Sequence, residues 1–297
     1  MMTPVAYTHP ARRARRRLRP GRLLAWLTLA ALVVITLLPF VWLLRTALTS
    51  HDAVLSGKQS LIPADPTLEN FRAVVSGSTT SAGFDFWTAL RNTIVVATMI
   101  TVGQVTFCAS SAYAFARLRF PGRDRLFALY LSALMVPPIF TILPNFVLMK
   151  DLGWLNTFQG IAAPTLLMTP FAVFFMRQFF LGIPRELEDA ARIDGASYAT
   201  VFRRIVLPMS QAPLFTLALI TFITAWNDYL WPLIVGQGEH VRVLTVALSI
   251  LRAQYPAGQP DWAVLMAGTL LAMAPIFLLV ITLRRRLVDA IQFTGLK

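Results

Sequence analysis

The sequence predicts an all-α, polytopic membrane protein with six transmembrane helices. Of its 297 residues, 56% are hydrophobic and only 14% are charged, and the mean hydropathy is +0.62. A helix needs about 20 mainly apolar residues to cross the hydrocarbon core of a bilayer. Six segments meet this requirement, the fourth only when its ends are extended, and they cover residues 23–44, 90–116, 126–149, 161–176, 213–235 and 262–283.

The distribution of basic residues predicts the orientation. With a cytoplasmic N-terminus, 20 of the 27 Lys and Arg residues fall in cytoplasmic segments, as the positive-inside rule requires. A signal peptide is the alternative for the start of the chain, but the apolar run is longer than the usual 7 to about 15 residues. The predicted organisation is an Arg-rich cytoplasmic tail (1–22), a first transmembrane helix (23–48), an external loop (49–87), a five-helix core (88–283) with a cytoplasmic loop (182–208), and a cytoplasmic C-terminal tail (284–297).

Local signals refine several of these elements. The external loop contains LIPADPTLENF, which predicts a short helix starting near Thr67. Small residues let membrane helices approach closely, and in the second span they predict a place inside the bundle: Gly103, Ala109, Ser110, Ala112, Ala114 and Ala116. Prolines remove helical hydrogen bonds and predict kinks or breaks in the third to sixth spans: Pro137, Pro138, Pro144, Pro164, Pro170, Pro232 and Pro275.

The fifth span holds Asn227 and Asp228 within AWNDYLWPLI. An ionisable side chain inside a membrane is a functional candidate by default. At interface depth, the flanking Trp226, Tyr229 and Trp231 would instead make this carboxylate part of an aromatic belt. A lone carboxylate also allows a stand-alone proton-coupled carrier, although the sequence offers no second buried carboxylate or histidine to pass the proton on.

The sequence lacks the motifs of an enzyme. No G-x-x-x-x-G-K-[ST] phosphate loop, G-x-S-x-G or H-E-x-x-H occurs. His9, His51 and His240 lie far apart, and Cys108 is the single cysteine, so neither a metal site nor an internal disulfide is predicted. The basic residues form short clusters between apolar runs rather than one nucleic-acid-binding face. We therefore expect a chain that is not an enzyme, holds no cofactor and takes any energy for uphill transport from a partner.

The segment ELEDAARIDGASYATVFRRIVLP, residues 186–208, is charged, unlike its apolar surroundings. Pro184 and the acidic residues after it predict a short helix over 185–194, which Gly195 ends. A second helix, with Ser197 as its N-cap, is predicted to run to Pro208. Such helices could lie on lipid or dock into a partner's groove, and the acidic first helix favours a protein partner over anionic lipid.

The spacing Asp189-Ala190-Ala191, Gly195, Ile205, Leu207-Pro208 matches the E-A-A-x3-G-x9-I-x-L-P motif of ABC importer permeases. The chain after residue 60 is similar to the maltose-type branch, specifically its smaller permease with six spans. The segments that carry this similarity are PTLENF, SSAYAFARLRFPGR, MVPPIFTILP, LGWLNTFQG, FFMRQFFLGIPRELEDAARIDGAS and WNDYLWPLI. Asp189 departs from the motif's glutamate, and Glu188 precedes it; which of the two pairs with a partner stays open. The C-terminal QFTGLK is also shorter than expected.

The resemblance implies a type I ABC importer permease fold in a bacterial or archaeal cell membrane. It implies four kinds of partner: a second, homologous permease, a cytoplasmic ATPase dimer that binds ATP and Mg²⁺, an extracellular sugar-binding protein, and membrane lipid. A sugar, either a disaccharide or an oligosaccharide, is the implied substrate, and a glycerol-phosphate ester is the alternative.

The resemblance also implies residue roles. The helix pair would dock into the ATPase with the stripe of Tyr198, Val201, Phe202 and Ile205 as its anchor, and ATP binding would move the pair as a rigid body. The predicted ATPase-coupling residues are Leu187, Glu188, Asp189, Ala190, Ala191, Asp194, Gly195, Tyr198, Phe202, Ile205, Leu207 and Pro208. Asn145, Asn227 and Asp228 are the predicted contributors to the translocation path.

Overall fold

A computed structural model describes residues 20–56, 62–63, 65–77, 84–253 and 261–294. Regular structure in these ranges is helical, apart from one isolated bridge between Thr49 and Pro66. Most of the Arg-rich tail (1–22) and the last three residues of the C-terminal tail lie outside the described residues. The all-α prediction is confirmed.

The described residues form fifteen α-helices, which are named here in chain order. The first seven are α1 (Pro20–Ala47), α2 (His51–Leu55), α3 (Glu69–Ser76), α4 (Phe86–Arg117), α5 (Arg123–Ser132), α6 (Ile139–Asp151) and α7 (Phe158–Leu166). The next eight are α8 (Pro170–Leu181), α9 (Arg185–Ile193), α10 (Tyr198–Val201), α11 (Leu207–Met209), α12 (Gln211–Asn227), α13 (Leu230–Val235), α14 (Leu244–Ala253) and α15 (Trp262–Thr294).

Among the described residues, three helices are long and apolar enough to cross a membrane alone, and three bent pairs bring the possible number of spans to six. The single helices cover Leu24–Ala47, Phe86–Arg117 and Trp262–Leu283. The bent pairs are Arg123–Met135 with Ile139–Asp151 (103°), Phe158–Leu166 with Pro170–Leu181 (47°), and Tyr198–Met209 with Gln211–Asn227 (79°). Six spans result when each pair crosses once, in agreement with the sequence prediction.

The sharpest bend lies where the sequence places two prolines. Val136 adopts an extended backbone with ψ 114°, as expected for a residue before proline, because the ring of Pro137 disfavours helical geometry there. Pro170 opens α8 after the second break, at a helix position where its missing N–H costs nothing. These prolines therefore break their spans, whereas Pro144, Pro164 and Pro275 lie inside helices.

The predicted fifth span, 213–235, is interrupted, contrary to a continuous helix. Asp228 is extended, with φ −65° and ψ 131°, between α12 and α13. Thr245 of α14 donates its hydroxyl to the Asp228 carbonyl over 2.7 Å. The break at Asp228 is therefore fastened to a neighbouring element through the Asp228 backbone carbonyl.

Helix α4 lies at the centre of the bundle, as its small residues predict. It packs against α7, α8 and α12, and Ala109, Ala112 and Ala116 are almost fully buried along it. Gly103 sits so close to α7 that an added Cβ would lie 2.5 Å from the carbonyl oxygen of Leu166. The approach of the two helices therefore requires glycine at this position.

We expect Gly103→Val to destabilise the chain strongly. The new side chain would overlap the Leu166 backbone, and overpacking of this kind typically costs about 1–3 kcal/mol or more. The thermal stability and monodisperse yield of the detergent-extracted protein measure the effect. Val102→Leu is the matched control, because Val102 is 60% exposed on the same helix. A Gly103→Val variant as stable as the wild type would show that the two helices can separate without cost.

The loops that follow α1, α6 and α13 gather at one end of the bundle. Asn92 donates to the carbonyls of His240 and Arg242 over 3.1 and 3.0 Å. Asn70 donates to the carbonyl of Ala47 over 2.8 Å. The short helix predicted near Thr67 is present as α3, which begins at Glu69. The charged segment lies at the opposite end, where α4 finishes.

Candidate functional site

The charged segment folds as the two predicted helices. The first is α9, with Pro184 as its N-cap and Glu186 and Glu188 in its first turn. The second runs from Tyr198 to Met209 through a π-helical turn. The Ser197 hydroxyl accepts a hydrogen bond from the backbone N–H of Thr200 over 3.2 Å. The predictions of two helices, of a break at Gly195 and of the Ser197 cap are confirmed.

Gly195 makes the turn between the helices in a left-handed conformation, with φ +85°. The Ala196 N–H donates to the Ala191 carbonyl over 2.9 Å, and the Gly195 N–H donates to the Arg192 carbonyl over 3.0 Å. This pair of bonds is a Schellman motif, in which glycine favours the left-handed position. A Cβ added at this residue would meet nothing within 4 Å beyond its chain neighbours, so the turn requires the conformation of glycine rather than its small size.

The motif's proline accounts for the π-helical turn at Phe202–Val206. Pro208 has no N–H, and its ring would clash with the carbonyl of Arg204 in a regular helix. The Leu207 N–H bonds instead to the Phe202 carbonyl, five residues earlier. The chain then bends by 79° before α12. The I-x-L-P end of the motif therefore sets the angle at which the charged segment enters the next span.

Glu188 and Asp189 differ sharply in their surroundings. The Glu188 carboxylate lies 2.8 Å from Nε of Arg117, and these side chains are 10% and 4% exposed respectively. Burial raises the pKa of Glu188, and the Arg117 guanidinium beside it opposes that shift. Asp189 is exposed. Of the two acids, Asp189, at the motif's glutamate position, is therefore the one accessible to another protein.

Most of the predicted apolar stripe faces the protein's own bundle. Val201 is 1% exposed, and Phe202 and Ile205 pack against the same core. The Phe202 ring lies 4.9 Å from the ring of Tyr113 in α4. Val201 is therefore covered, whereas Phe202 and Ile205 are partly buried, and the anchoring of a partner by this stripe stays a prediction.

Other apolar side chains of the segment are exposed. Ile193 is 87% exposed, Tyr198 is 47% exposed and Leu187 is 45% exposed. The Tyr198 hydroxyl accepts a hydrogen bond from Arg192 over 2.6 Å, which fixes the ring beside α9. We define the coupling surface as the exposed residues Leu187, Asp189, Ala190, Ile193, Asp194 and Tyr198.

The sequence did not predict the part that Ile193 and Arg117 have in this site. Ile193 falls outside the stripe of the second helix, and an isoleucine beside a predicted turn gives no sign of its exposure. Arg117 lies 71 positions before Glu188, so its contact depends on tertiary structure. The only local signal for Arg117 is a basic residue in the last turn of a span.

The predicted path residues are spread over two elements. Asn145 is partly buried in α6, and Asn227 is exposed at the end of α12. The Asn227 side-chain amide donates a hydrogen bond to the Ile223 carbonyl over 2.8 Å. Within the described part of the chain, no hydrogen bond joins Asn145 to Asn227 or Asp228. In the same ranges, no three His, Cys, Asp or Glu side chains gather where they could hold a metal ion.

Comparisons with known proteins agree on a single family. Residues 107–293 match the family described as "Binding-protein-dependent transport system inner membrane component". The sn-glycerol-3-phosphate transport system permease protein UgpE of Salmonella typhi is 34% identical over 256 residues, 86% of this chain and 90% of that protein. The arabinooligosaccharides transport system permease protein AraQ of Halalkalibacterium halodurans is 32% identical over 280 residues, 93% and 97% of the two chains.

A solved structure supports the fold. It is the crystal structure of a bacterial ABC transporter involved in the import of the acidic polysaccharide alginate. One of its chains superposes with a TM-score of 0.79 and 22% sequence identity, covering 95% of this chain and 99% of that chain. The fold of this chain is therefore one already seen in an ABC importer.

Proposed function

The chain belongs to the family of binding-protein-dependent transport system inner membrane components, the permease subunits of ABC importers, and we propose that it passes a sugar into the cell by coupling to an ATPase through residues 182–208. The observation that carries this proposal is the exposed coupling surface beside the buried contact of Glu188 with Arg117. One side of the segment is free for a partner, while the other is fixed to the spans.

The proposed mechanism is mechanical. ATP and Mg²⁺ would act on the partner ATPase dimer, whose closure would displace the docked helix pair. Ile193, Leu187 and Tyr198 would enter the ATPase cleft as apolar anchors, and the exposed Asp189 carboxylate would pair with a basic residue there. The 79° bend at the end of the pair would carry the motion into α12.

We propose a second, homologous permease as the partner that completes the translocation path. Large apolar side chains remain exposed along the third span, including Ile139, Phe140 and Leu143 at 62%, 71% and 69%. A patch of this size on a membrane protein contacts either lipid or another transmembrane subunit. The partly buried Asn145 on the same helix favours a protein-lined path there. We also propose that Asn227 and Asp228 contribute to the path. If their alanine variants transport the solute with the KM and rate of the wild type, these residues have no such role.

The orientation proposed from the sequence places both termini and the coupling loop in the cytoplasm. Arg117, Arg119, Arg123 and Arg125 end α4 and begin α5 at the same end of the bundle as the coupling surface. Basic residues at one end of a bundle are typical of the cytoplasmic side. The boundaries at 1–22, 23–48, 49–87, 88–283 and 284–297 are proposed with it, although α15 continues without a break past residue 283 to Thr294.

Two substrate classes fit the relatives. AraQ is named for arabinooligosaccharides and UgpE for sn-glycerol-3-phosphate, so we propose a sugar and keep a glycerol-phosphate ester as the alternative. The binding protein encoded beside this chain would decide between them. Calorimetric titration of that binding protein with arabinotriose and with glycerol 3-phosphate should show that it binds one of the two solutes. The stand-alone proton-coupled carrier is no longer proposed, because the family works with binding proteins.

Reconstitution tests the function as a whole. We expect proteoliposomes with this chain, its co-encoded permease, the ATPase and the binding protein to import the bound solute only when ATP reaches the ATPase. Liposomes with this chain alone should import nothing under a pH gradient, because the sequence carries no ATP-binding motif or proton relay. Uptake by the chain alone, driven by a pH gradient without ATP, would contradict the proposal.

A further inference from the structure

The Arg117 side chain is the point where three helices meet. Arg117 is the last residue of α4, and its Nε atom lies 2.8 Å from the Glu188 carboxylate on α9. Its Nη2 atom donates to the carbonyl of Phe180 over 2.6 Å and to the carbonyl of Ile183. These carbonyls lie at and just beyond the end of α8. One guanidinium therefore holds the end of α4, the end of α8 and the first coupling helix.

Each acceptor suits a cation. The carbonyls at a helix C-terminus lack helical partners and carry the negative end of the helix dipole. The planar guanidinium presents several donors in a fixed fork, so it can contact a carboxylate and two carbonyls at once. A lysine could supply the charge but not this rigid arrangement. The contact therefore specifies the relative position of the three helices and not only their proximity.

The second coupling helix is fixed to the same body by aromatic packing. The Phe202 ring lies 4.9 Å from the Tyr113 ring and 6.4 Å from the Phe180 ring. Tyr113 lies one turn before Arg117 on α4 and is 5% exposed. Both coupling helices thus contact α4 and α8. The first, α9, does so through the Arg117 side chain and its buried ion pair, and the second does so through the aromatic cluster.

The ion pair is poorly explained by stability alone. Removing two charges from water costs several kcal/mol per ion, and replacing a buried pair with apolar residues of similar volume is often neutral or stabilising. The positions beside it, Tyr113, Phe180 and Phe202, are already apolar. A simple packing role would therefore suit leucine and methionine equally well, whereas a role in positioning would not.

We propose that Arg117 is a positioning residue that joins α9 to the ends of α4 and α8, so that motion of the coupling helices moves the second and fourth spans with them. This proposal rests on the proposed function. It adds a route of transmission to α4, distinct from the covalent routes that lead from the coupling helices into α8 through residues 182–184 and into α12 through Pro208. Without the joint, the coupling helices would follow the ATPase while α4, which has no direct chain connection to them, lagged behind.

The double variant Arg117→Met/Glu188→Leu separates positioning from stability, because it removes both charges and leaves neither unpaired. The full complex with its co-encoded partners, in proteoliposomes, is assayed for ATP hydrolysed per solute imported, using arabinotriose or glycerol 3-phosphate, whichever the wild type imports. We expect the variant to assemble and hydrolyse ATP, but to import about tenfold less per ATP. The Arg117→Lys variant should import an amount of solute per ATP between those of the wild type and the double variant. If the double variant imports as much solute per ATP as the wild type does, the proposal is overturned.

A matched control changes a neighbouring pair. Arg123 and Asp124 form an ion pair at 3.0 Å with side chains 26% and 75% exposed, and Arg123→Met/Asp124→Leu should leave the ratio unchanged. A wild-type complex that imports neither solute would count against the proposed function instead, and the two failures are thus distinguishable.

A distance measurement covers the case in which the double variant does not assemble. Spin labels at Glu186→Cys on α9 and Arg119→Cys just beyond α4, in a Cys108→Ser background, report the separation of these elements within one chain. Both labelled residues are exposed. We expect the same single distance in the nucleotide-free and ATP-bound complexes. A shift between the two states would show that α9 moves independently of α4 and would overturn the proposal.

Discussion

Gly195→Val is expected to uncouple ATP hydrolysis from import in an otherwise assembled complex. The turn between the coupling helices holds residue 195 at φ +85°, where an ordinary side chain costs about 1–2 kcal/mol and a β-branched one more. Relief of that strain would reorient the second helix relative to α9 and separate Ile193 from Tyr198 on the coupling surface. We expect import to fall by about tenfold or more while basal ATP hydrolysis persists.

Two matched variants distinguish the left-handed turn from a general effect of substitution. Gly195→Asn should keep most of the import, because asparagine tolerates the left-handed region better than other residues with a side chain. Gly182→Ala, at the first residue of the coupling loop, should be nearly silent, since Gly182 has an ordinary φ of −79°. Normal uptake and assembly in Gly195→Val would show that the turn is not needed for coupling.

Ile193→Asp is expected to weaken the association with the ATPase. Ile193 is the most exposed large apolar residue of the coupling surface, at 87%. A buried apolar anchor at an interface is typically worth about 2 kcal/mol or more. We expect the dissociation constant to rise by about tenfold to a hundredfold, measured by surface binding of the detergent-solubilised permease pair to the purified ATPase.

The control for Ile193 carries the same change at the other end of the bundle. Leu152 is 48% exposed and follows α6, beside the loops near His240. Leu152→Asp should bind the ATPase as the wild type does. Unchanged affinity in Ile193→Asp, with the protein still folded, would show that the exposed isoleucine serves another contact.

Local sequence signals predicted the coupling segment well. Pro184, Ser197 and Gly195 act through hydrogen bonds and backbone angles within a few residues of themselves. Their effects therefore depend only on nearby residues and can be predicted from the sequence. The helix pair, its turn and its N-cap follow from these residues without knowledge of the neighbouring helices.

The orientation of the segment could not be predicted in the same way. Burial of Glu188 rather than Asp189 depends on Arg117, and burial of Phe202 depends on Tyr113. Both partners lie on α4, far away in the sequence. Val201, Phe202 and Ile205 of the predicted stripe do share one face, but their spacing does not say whether that face meets the protein's own core or a partner.

The spans show a similar division. Hydropathy identifies six candidate spans because a helix that crosses a bilayer needs a minimum length of apolar residues. It could not show that the third span bends by 103°, although Pro137 and Pro138 marked the place. The interruption at Asp228 is fastened by the hydroxyl of Thr245 in α14. That contact joins two different helices, so local sequence signals cannot predict it.

Photo-crosslinking from the coupling surface shows directly whether the residues around Ile193 contact the ATPase. The photoreactive residue p-benzoylphenylalanine replaces Ile193 in the full complex, with the same replacement at Leu152 as the control. We expect an adduct between this chain and the ATPase subunit from position 193 and none from position 152. Adducts from position 193 only with lipid or with the second permease, in a complex that still imports its solute, would contradict it.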